Sequence, residues 1–439
     1  MTAALRRSFH SLTVPNYRRY FTGQVVSVSG NWMQMVAEAW LLLTLTGSGV
    51  AVGALTAAQF APFLLFAAWG GVIADRIPKR RLLIFTQAAM ATPALFLFAV
   101  TAAGVVQPWM VFATAFARGS VNSIDNPARQ SFVIEMVGAD RVVNAVSLNS
   151  VIVQSSRILG PGIAGAVIAL FGVAPCFAVN ALTFAVMIGA LRSMRPDELR
   201  PAPVTRHERG AVRAAIGYVG RTPALAIPLG MMALVGTLAF NFQTVLPLLA
   251  HFTFDGGADA YAVLLGAMGV GSIAGALANG ARGRTGPRLL VASALGFGAF
   301  GLLAAAAPSF PLEVAALIPL GAASITFAAG VNSQLQLEVE PAMRGRVMAL
   351  YSIVFLGSTP LGGPLTGWLS EALGPRAGLV LGGLAALTAG IGAWVAFSRA
   401  HGSGSATRPR RAGGGRPREG GFFGDTAFAR VRRREVDPS

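Results

Sequence analysis

The chain has 439 residues, of which 54% are hydrophobic and only 12% are charged. Soluble domains carry about 25% charged residues, so this composition excludes an ordinary soluble protein. The formal charge of +17 would suit a nucleic-acid partner, but the positions of the basic residues argue against one. The single cysteine, Cys176, excludes an intramolecular disulfide and a cysteine-cluster metal site.

Twelve apolar runs are long enough to cross a bilayer, since a helix needs about 20 residues to span ~30 Å of hydrocarbon. They lie at 21–45, 51–74, 82–104, 109–130, 146–171, 175–194, 224–249, 260–281, 288–307, 312–336, 347–371 and 377–398. Spans four and ten are the most polar. The first run lacks a small-residue cleavage site, which predicts a retained membrane helix and not a signal peptide.

Almost all of the 35 lysines and arginines lie in the two termini and in the loops after even-numbered spans. The exceptions are Arg118 and Arg157, inside spans, and Arg376, in an opposite loop. By the positive-inside rule, this asymmetry places both termini in the cytoplasm. The net charge is then a topology signal, so we expect a lipid bilayer as partner and no nucleic acid.

Short repeats indicate two related halves: residues 121–123 recur at 331–333, and Gly160-Pro161 recurs as Gly363-Pro364. They predict six-helix bundles over 21–194 and 224–398, with a binding site between them near the midplane. Three hydrophilic segments remain. They are a cytoplasmic N-terminus at 1–20, a cytoplasmic linker with an amphipathic helix at 195–223, and a disordered Arg/Gly-rich cytoplasmic tail at 399–439.

The sharpest motif runs from Gly71 to Arg80, at the end of span two. It resembles the G-x-L-A-D-R-x-G-R-K signature of the major facilitator superfamily, with Pro78 in place of a glycine. In that family the acidic residue locks helix 2 against helix 11. The resemblance therefore implies a gating set, and we take Arg129 as the candidate partner of Asp75; the alternative is that Asp75 and the basic run only fix topology. The set is Gly71, Asp75, Arg76, Lys79, Arg80 and Arg129.

A second pattern resembles the antiporter signature of the same superfamily, with small residues in place of most of its glycines. In span five it comprises Ser156, Gly160, Pro161, Ala164 and Gly165, and in span eleven Gly363, Pro364 and Gly367. The resemblance implies export in preference to import. Tight helix packing explains small residues at these positions almost as well.

The wider resemblance covers roughly residues 10–400. The segments 30–34, 40–48 and 125–130 resemble a bacterial branch that contains enterobactin-exporter-like proteins and multidrug or secretion permeases. This resemblance implies an all-α membrane protein of the inner membrane, with twelve transmembrane helices in two pseudo-symmetric six-helix bundles.

Ionisable groups inside a bilayer are costly, so each is a functional candidate. Glu38 in span one and Arg118 in span four lie at depths only several ångström apart, at about 1.5 Å of rise per residue. We predict that they pair and that protonation of Glu38 releases the pair. A static ion pair, or Glu38 in water at the outer side, is the alternative. Arg157 adds a spare positive charge, which favours an anionic substrate.

Polar and aromatic side chains in both halves are candidates for the cavity wall: Trp32, Asn241, Gln243, Asn332 and Gln334. The sequence has no nucleotide-binding loop and no cluster of acids and histidines, so we expect no enzyme activity, cofactor or metal. It predicts a monomeric exporter of an amphipathic, siderophore- or drug-like small molecule, powered by the proton gradient. An importer or lipid translocator of the same fold, and a non-transporting receptor or scaffold, are the alternatives.

Overall fold

A computed structural model describes residues 10–200, 211–282, 286–340 and 343–404. Of these, residues 10–398 form one compact unit, and residues 399–404 belong to a second. The predicted tail at 399–439 is described only as far as Gly404, and the predicted N-terminal segment only from His10. The rest of both segments lies outside the described residues. All regular elements in the described ranges are helical.

The first half consists of six long helices. They are α1 (Pro15–Thr46), α2 (Gly49–Arg76), α3 (Lys79–Ala102), α4 (Pro108–Val137), α5 (Val142–Phe171) and α6 (Ala174–Arg192). Local signals set their ends. Gly47, in the left-handed conformation at φ 60°, ends α1, and the Ser48 side chain caps α2 by accepting a hydrogen bond from the Ala51 backbone N–H.

The second half begins with a short helix in the linker, α7 (Ala211–Arg221). It continues with α8 (Pro223–Leu238), α9 (Phe242–Leu248), α10 (Ala258–Arg282), α11 (Pro287–Ala305), α12 (Phe310–Glu338), α13 (Arg344–Gly357), α14 (Thr359–Leu373) and α15 (Arg376–Gly404). On α7, Ala215 and Val219 are buried and Arg213 is exposed, the two-faced pattern of an amphipathic helix.

Two predicted spans are each divided into two helices. Span seven is interrupted at 239–241, between α8 and α9, where the Asn241 side chain donates a hydrogen bond to the Thr237 carbonyl oxygen at 2.7 Å. Such a bond competes with the helical backbone pattern. Span eleven is interrupted at Ser358, just before Pro360, whose ring cannot continue the preceding helix.

Ten helical stretches are long and apolar enough to cross a bilayer, counting α8 with α9 and α13 with α14 as one each. The helices α1 and α4 are 32 and 30 residues long but too polar to meet that criterion. With both included, the described chain makes about twelve crossings, as predicted. The prediction that span ten is among the most polar was wrong. Its polar residues gather in the last turns of α12, and the remainder is strongly apolar.

Successive crossings run in opposite directions, so the loops alternate between two ends of the bundle. We call the end where α1 begins and α2 ends the basic end, and the other the far end. The halves meet mainly through α2 against α13 and α14, and through α5 against α10. These contacts decide which end is closed.

Candidate functional site

The far end is closed by backbone contact between α2 and α14. A methyl group on Gly53 would lie 2.3 Å from the Gly363 carbonyl oxygen, and one on Gly367 would lie 2.3 Å from the Gly49 carbonyl oxygen. Only glycine permits such an approach. Next to these glycines, Glu371 of α14 accepts hydrogen bonds from the Ser48 hydroxyl at 2.7 Å and the Val50 backbone N–H at 2.9 Å. The carboxylate therefore binds the N-terminus of α2 across the two halves.

A second contact, between α5 and α10, continues the closure to the middle of the bundle. Gly165 lies against Ala262, where an added methyl group would be 2.4 Å from the Ala262 Cβ. Further along, Ile158 of α5 packs on Gly269, and in the other contact Leu64 packs on Gly357. Ile158 lies near the midpoint of α5, which runs from the basic end to the far end, so this contact is about halfway between the two ends.

A cavity of about 510 Å³ occupies the basic-end part of the first half, between α1, α3, α4 and α5. Six carboxamides line it: Gln24, Asn31, Asn122, Asn126, Gln130 and Asn149. Its other lining residues are Tyr20, Val28, Met90, Asp125, Arg129, Val133, Ile134, Val142, Val146 and Val153. The first residue of α5 is among them, so the cavity reaches the basic end. The closed far end and this cavity together describe a state accessible from the basic end.

A buried ion pair of Asp125 and Arg129 lies in the cavity wall. The Asp125 carboxylate, only 2% exposed, also accepts hydrogen bonds from the Thr86 hydroxyl at 2.5 Å and the Gln87 amide at 3.1 Å. Arg129 also donates to the Gln24 side chain on α1. The carboxylate that Arg129 binds is thus on its own helix. In this structure the acid four residues away in the same helix is the partner of Arg129, and the predicted pairing of Arg129 with Asp75 stays a prediction.

Deeper in the bundle, Glu38 is fully buried at the centre of a polar network. Its carboxylate accepts hydrogen bonds from Gln34 at 2.7 Å, Gln59 at 3.0 Å and Arg118 at 2.5 Å. Asn180 of α6 donates to Gln34, and the Thr183 hydroxyl donates to Asn180. The predicted ion pair of Glu38 and Arg118 is therefore present, and the network around it includes residues of four helices, α1, α2, α4 and α6.

One face of α1 links the cavity to this network. Its polar residues at 24, 27, 31, 34 and 38 recur every three or four positions, which places them on one side of a helix. Gln24 and Asn31 line the cavity, Ser27 donates to Gln87, and Gln34 leads to Glu38. This periodicity is visible in the sequence, although analysis of single charged residues misses it.

Arg157 of α5 lies one turn beyond the cavity-lining Val153. Its guanidinium carbon is 5.1 Å from the centre of the Trp32 ring, a cation–π contact. Val153, one turn earlier on α5, and Asn31, next to Trp32, both line the cavity. The following residue, Ile158, makes the closing contact with Gly269. Along α5, Arg157 therefore lies between the cavity-lining Val153 and the closing contact at Ile158.

Comparison with known proteins agrees with this architecture. The sequence profile of the transmembrane secretion effectors, a family of the major facilitator superfamily, matches residues 7–407. The chain belongs to this family. It is 24% identical over 258 residues to the staphyloferrin A transporter of Staphylococcus aureus, a match that covers 58% of this chain and 64% of that protein.

Two further comparisons cover more of the chain. The enterobactin exporter EntS of Citrobacter koseri is 24% identical over 404 residues, a match that covers 86% of this chain and 91% of the exporter. The solved structure of the nucleoside transporter NupG superposes with a TM-score of 0.69 at 14% identity, covering 87% of this chain and 99% of that one. The fold of this family member is therefore the major facilitator fold.

The superfamily signature at the basic end ties helices of the first half together. Arg80 donates hydrogen bonds to the carbonyl oxygens of Leu191 and Arg192, at 2.7 and 2.8 Å, where its charge is favourable at the C-terminus of α6. Lys79 lies 3.9 Å from the Glu135 carboxylate of α4. Gly71 and Asp75 are half-buried and Arg76 is exposed. The gating role of this set stays a prediction.

The antiporter-like pattern of the family lies at helix contacts. The Ser156 hydroxyl is 3.1 Å from that of Ser29, and a methyl group on Gly160 would lie 2.4 Å from the Trp32 Cβ. Pro161 and Ala164 are buried, and Pro364 is half-buried. Gly165 packs against α10, and Gly363 and Gly367 pack against α2. Each copy of the pattern therefore contributes to a contact between the halves. Close packing accounts for these residues, and the implied direction of transport stays a prediction.

The candidates in the second half do not line the cavity. Gln334 donates to Glu338 at 3.1 Å, and Asn332 accepts from Gln336 at 2.5 Å, so their amides bond within α12. Asn241 lines a second, much smaller cleft, and Gln243 is half-buried beside it in sequence. Aromatic rings fill the interior instead. Phe240 packs against Phe242, Phe297 and Phe355, with centroids 5.2 to 6.4 Å apart.

Glu313 is among the buried acids that the sequence analysis did not single out. Glu313, in the first turn of α12, is fully buried, and neither carboxylate oxygen has a hydrogen-bond partner among the described residues. Arg376 of α15 is the neighbouring charge, and it donates to the Ala307 carbonyl oxygen at 2.6 Å. The sequence signal that could have identified Glu313 is an acidic residue within an apolar run. In the described residues, no group of three His, Cys, Asp or Glu side chains forms a metal site.

Proposed function

We propose that this protein is a proton-coupled exporter of an amphipathic, siderophore- or drug-like small molecule, and that it works by alternating access. The observation that carries the proposal is the buried Glu38–Arg118 pair, joined by one face of α1 to a cavity that reaches the basic end. A buried titratable pair linked to a cavity in the bundle is what coupling of a proton to a conformational change requires.

The orientation follows from charge. The loops and termini of the basic end hold almost all lysines and arginines, so this end faces the cytoplasm of a bacterial cell. The cavity then takes substrate from the cytoplasm. The similarity to an enterobactin exporter and to a staphyloferrin A transporter supports a siderophore-type substrate, and the similarity to the exporter supports outward transport.

Alternating access needs two closures that exclude each other. In this structure the glycine contacts between α2 and α14 and between α5 and α10 close the far end. Rocking of one half against the other would part these contacts and close the basic end, where the set around Asp75 lies. Substrate and proton then shift a two-state equilibrium, and the substrate is not chemically changed.

Proton coupling centres on Glu38. The deprotonated carboxylate accepts three hydrogen bonds and pairs with Arg118. Protonation removes the charge, so Arg118 is released from its partner. The gradient that drives this exchange takes the place of a bound cofactor, and the working unit is a monomer in the bilayer.

Proton flux in inside-out vesicles tests the proposal. The vesicles would be challenged with anionic siderophores, lipophilic cations and neutral hydrophobic drugs. We expect a substrate to dissipate the pH gradient in wild type and not in Glu38→Gln. The matched control is Glu313→Gln, which neutralises an equally buried acid distant from the cavity and should keep the flux.

Two results would contradict the proposal. Full coupling in Glu38→Gln would exclude Glu38 as the proton site. Absence of flux with every substrate class, from protein shown to be folded and inserted, would count against export of this kind.

A further inference from the structure

Three arginines lie well inside the helices of the first half, and they differ in their partners. Arg118 is paired with Glu38, and Arg129 with Asp125. Within the described residues, Arg157 has no carboxylate partner, and its recorded contact is the Trp32 ring. The two pairs are neutral, so the interior of this half carries one uncompensated positive charge.

An unpaired charge in a bilayer is expensive unless it meets water or an opposite charge. Arg157 is half-buried, and it follows the cavity-lining Val153 by one turn. Along α5 it lies between the cavity wall and the Ile158–Gly269 contact, against which a ligand entering from the basic end would stop. The position suits a counter-charge brought in by that ligand.

We propose that Arg157 and Trp32 form an anion subsite that recognises a carboxylate, or a similar oxyanion, carried on a flat apolar group. The Trp32 ring holds the guanidinium in place, and the planar fork of its N–H groups binds two oxygens of the anion. The carboxamides of Asn31 and Asn149 line the adjacent wall and can donate further hydrogen bonds. The valines at 146 and 153 contact the apolar group.

The inference rests on the proposed function and names its substrate class. Selection by charge follows, because a lipophilic cation of the same shape would meet the Arg157 charge instead of a partner. The subsite discriminates anionic substrates from cationic and neutral ones. Arg118 and Arg129 cannot do so while each is bound to its own carboxylate.

Equilibrium binding to the full chain in phosphatidylcholine nanodiscs tests the subsite. The probes are pyrenebutyrate and pyrenebutyramide, which share a fluorescent flat group and differ in charge, and the readout is fluorescence anisotropy corrected for empty nanodiscs. We expect the carboxylate to bind wild type at least about tenfold more tightly than the amide, since a charge-assisted pair is worth more than a neutral one.

Variants test which residues cause the preference for the carboxylate over the amide. Arg157→Gln should abolish it with amide binding unchanged, which also shows that the variant is folded. Arg157→Lys should keep part of it, and Trp32→Leu should weaken carboxylate binding several-fold. Arg213→Gln, an exposed arginine on α7, is the matched control and should change nothing. Equal preference in Arg157→Gln and wild type, or no preference in wild type, would overturn the subsite.

Two further comparisons distinguish a lipid headgroup from a transported anion, and the anion subsite from the proposed export. In phosphatidylglycerol nanodiscs, strong competition for the carboxylate probe would assign the site to a lipid headgroup and not to a transported anion. The measurement uses no gradient, so carboxylate selectivity in a protein without flux would reject export while leaving the subsite intact.

Discussion

A carboxylate inside a bilayer persists when its neighbours replace the hydrogen bonds of water. Glu38 has three such neighbours on three helices. Glu313 is equally buried, yet among the described residues it has none, and only the Arg376 charge lies nearby. The two acids share burial and differ in surroundings, so they form a matched pair for separating function from stability.

At the residue scale we expect Arg118→Met to lower the free energy of unfolding by about 3–5 kcal/mol, because it leaves Glu38 buried without a counter-charge. Adding Glu38→Gln should restore most of that stability without restoring substrate-driven proton flux. Chemical denaturation in detergent measures the first effect, and the vesicle assay measures the second.

The same set of single and double variants at Glu313 and Arg376 serves as the control. Arg376→Met with Glu313→Gln should also recover stability, but here flux should persist, because neither residue contacts the cavity. Coupled transport by the Glu38→Gln/Arg118→Met protein would show that the first pair is structural only.

Which charged residues pair was only partly predictable from the sequence. The Glu38–Arg118 pair follows from counting residues along two helices, since depth is fixed by a constant rise. The partner of Arg129 was also visible, as Asp125 four residues earlier, but a family motif directed attention to Asp75. Gln24 and Gln59 were not predictable, because their contacts depend on how each helix is rotated about its axis.

At the element scale, α2 with α14 and α5 with α10 form two contacts built on small residues. The pattern G-P-x2-G occurs at one helix of each contact, as Gly363 to Gly367 in α14 and, with alanine in place of the last glycine, as Gly160 to Ala164 in α5. Each half therefore contributes one helix with this pattern to the far-end closure.

We expect Gly53→Val to shift the protein towards opening at the far end, because its side chain would collide with the Gly363 backbone. Opening is measured with a Cys176→Ala, Thr56→Cys background, since Thr56 is buried beside Thr244 between the halves. Labelling by a membrane-impermeant maleimide from the far side should rise about tenfold, the effect of ~1.4 kcal/mol on a two-state equilibrium.

Gly189→Val is the control for this labelling, because a side chain at Gly189 of α6 would meet open space. Its labelling rate should equal that of the background. Unchanged labelling in Gly53→Val would mean that the α2–α14 contact does not hold the far end closed.

Helix number and approximate position were predictable because apolar length is a strong signal. The interruptions at 239–241 and Ser358 were not, since both runs stay apolar through the break. They depend on one side-chain hydrogen bond from Asn241 and on Pro360, and prolines inside other helices of this chain, such as Pro62 and Pro93, cause no such division.

At the scale of the whole molecule, the two halves share a fold and differ in their interiors. The first half contains the Glu38 and Asp125 networks and the cavity. The second half is filled around Phe240 by packed rings. The internal repeat predicted a site shared by both halves. It could not show this asymmetry, because the repeat is carried by packing residues and not by the polar ones.

The polar faces of α1 and α4 also bear on how the chain enters the membrane during synthesis. Neither helix is apolar enough to partition readily into lipid when it leaves the translocon alone, and the Glu38 charge has no counter-charge until Arg118 emerges. We expect α1 to be integrated poorly in nascent chains that end after α3 and stably once α4 is present. Labelling of a Gly47→Cys variant from the far side by a membrane-impermeant maleimide measures this in the truncated chains, and equal labelling of both lengths would contradict it.

Glu38→Leu should let α1 integrate equally well in the shorter and the longer nascent chain, because it removes the charge that is unfavourable in lipid. The acid at the centre of the proposed transport cycle would then be the same residue that delays the first helix from committing to the bilayer. Biogenesis of this protein would proceed by late, cooperative insertion of its first four helices and not one helix at a time.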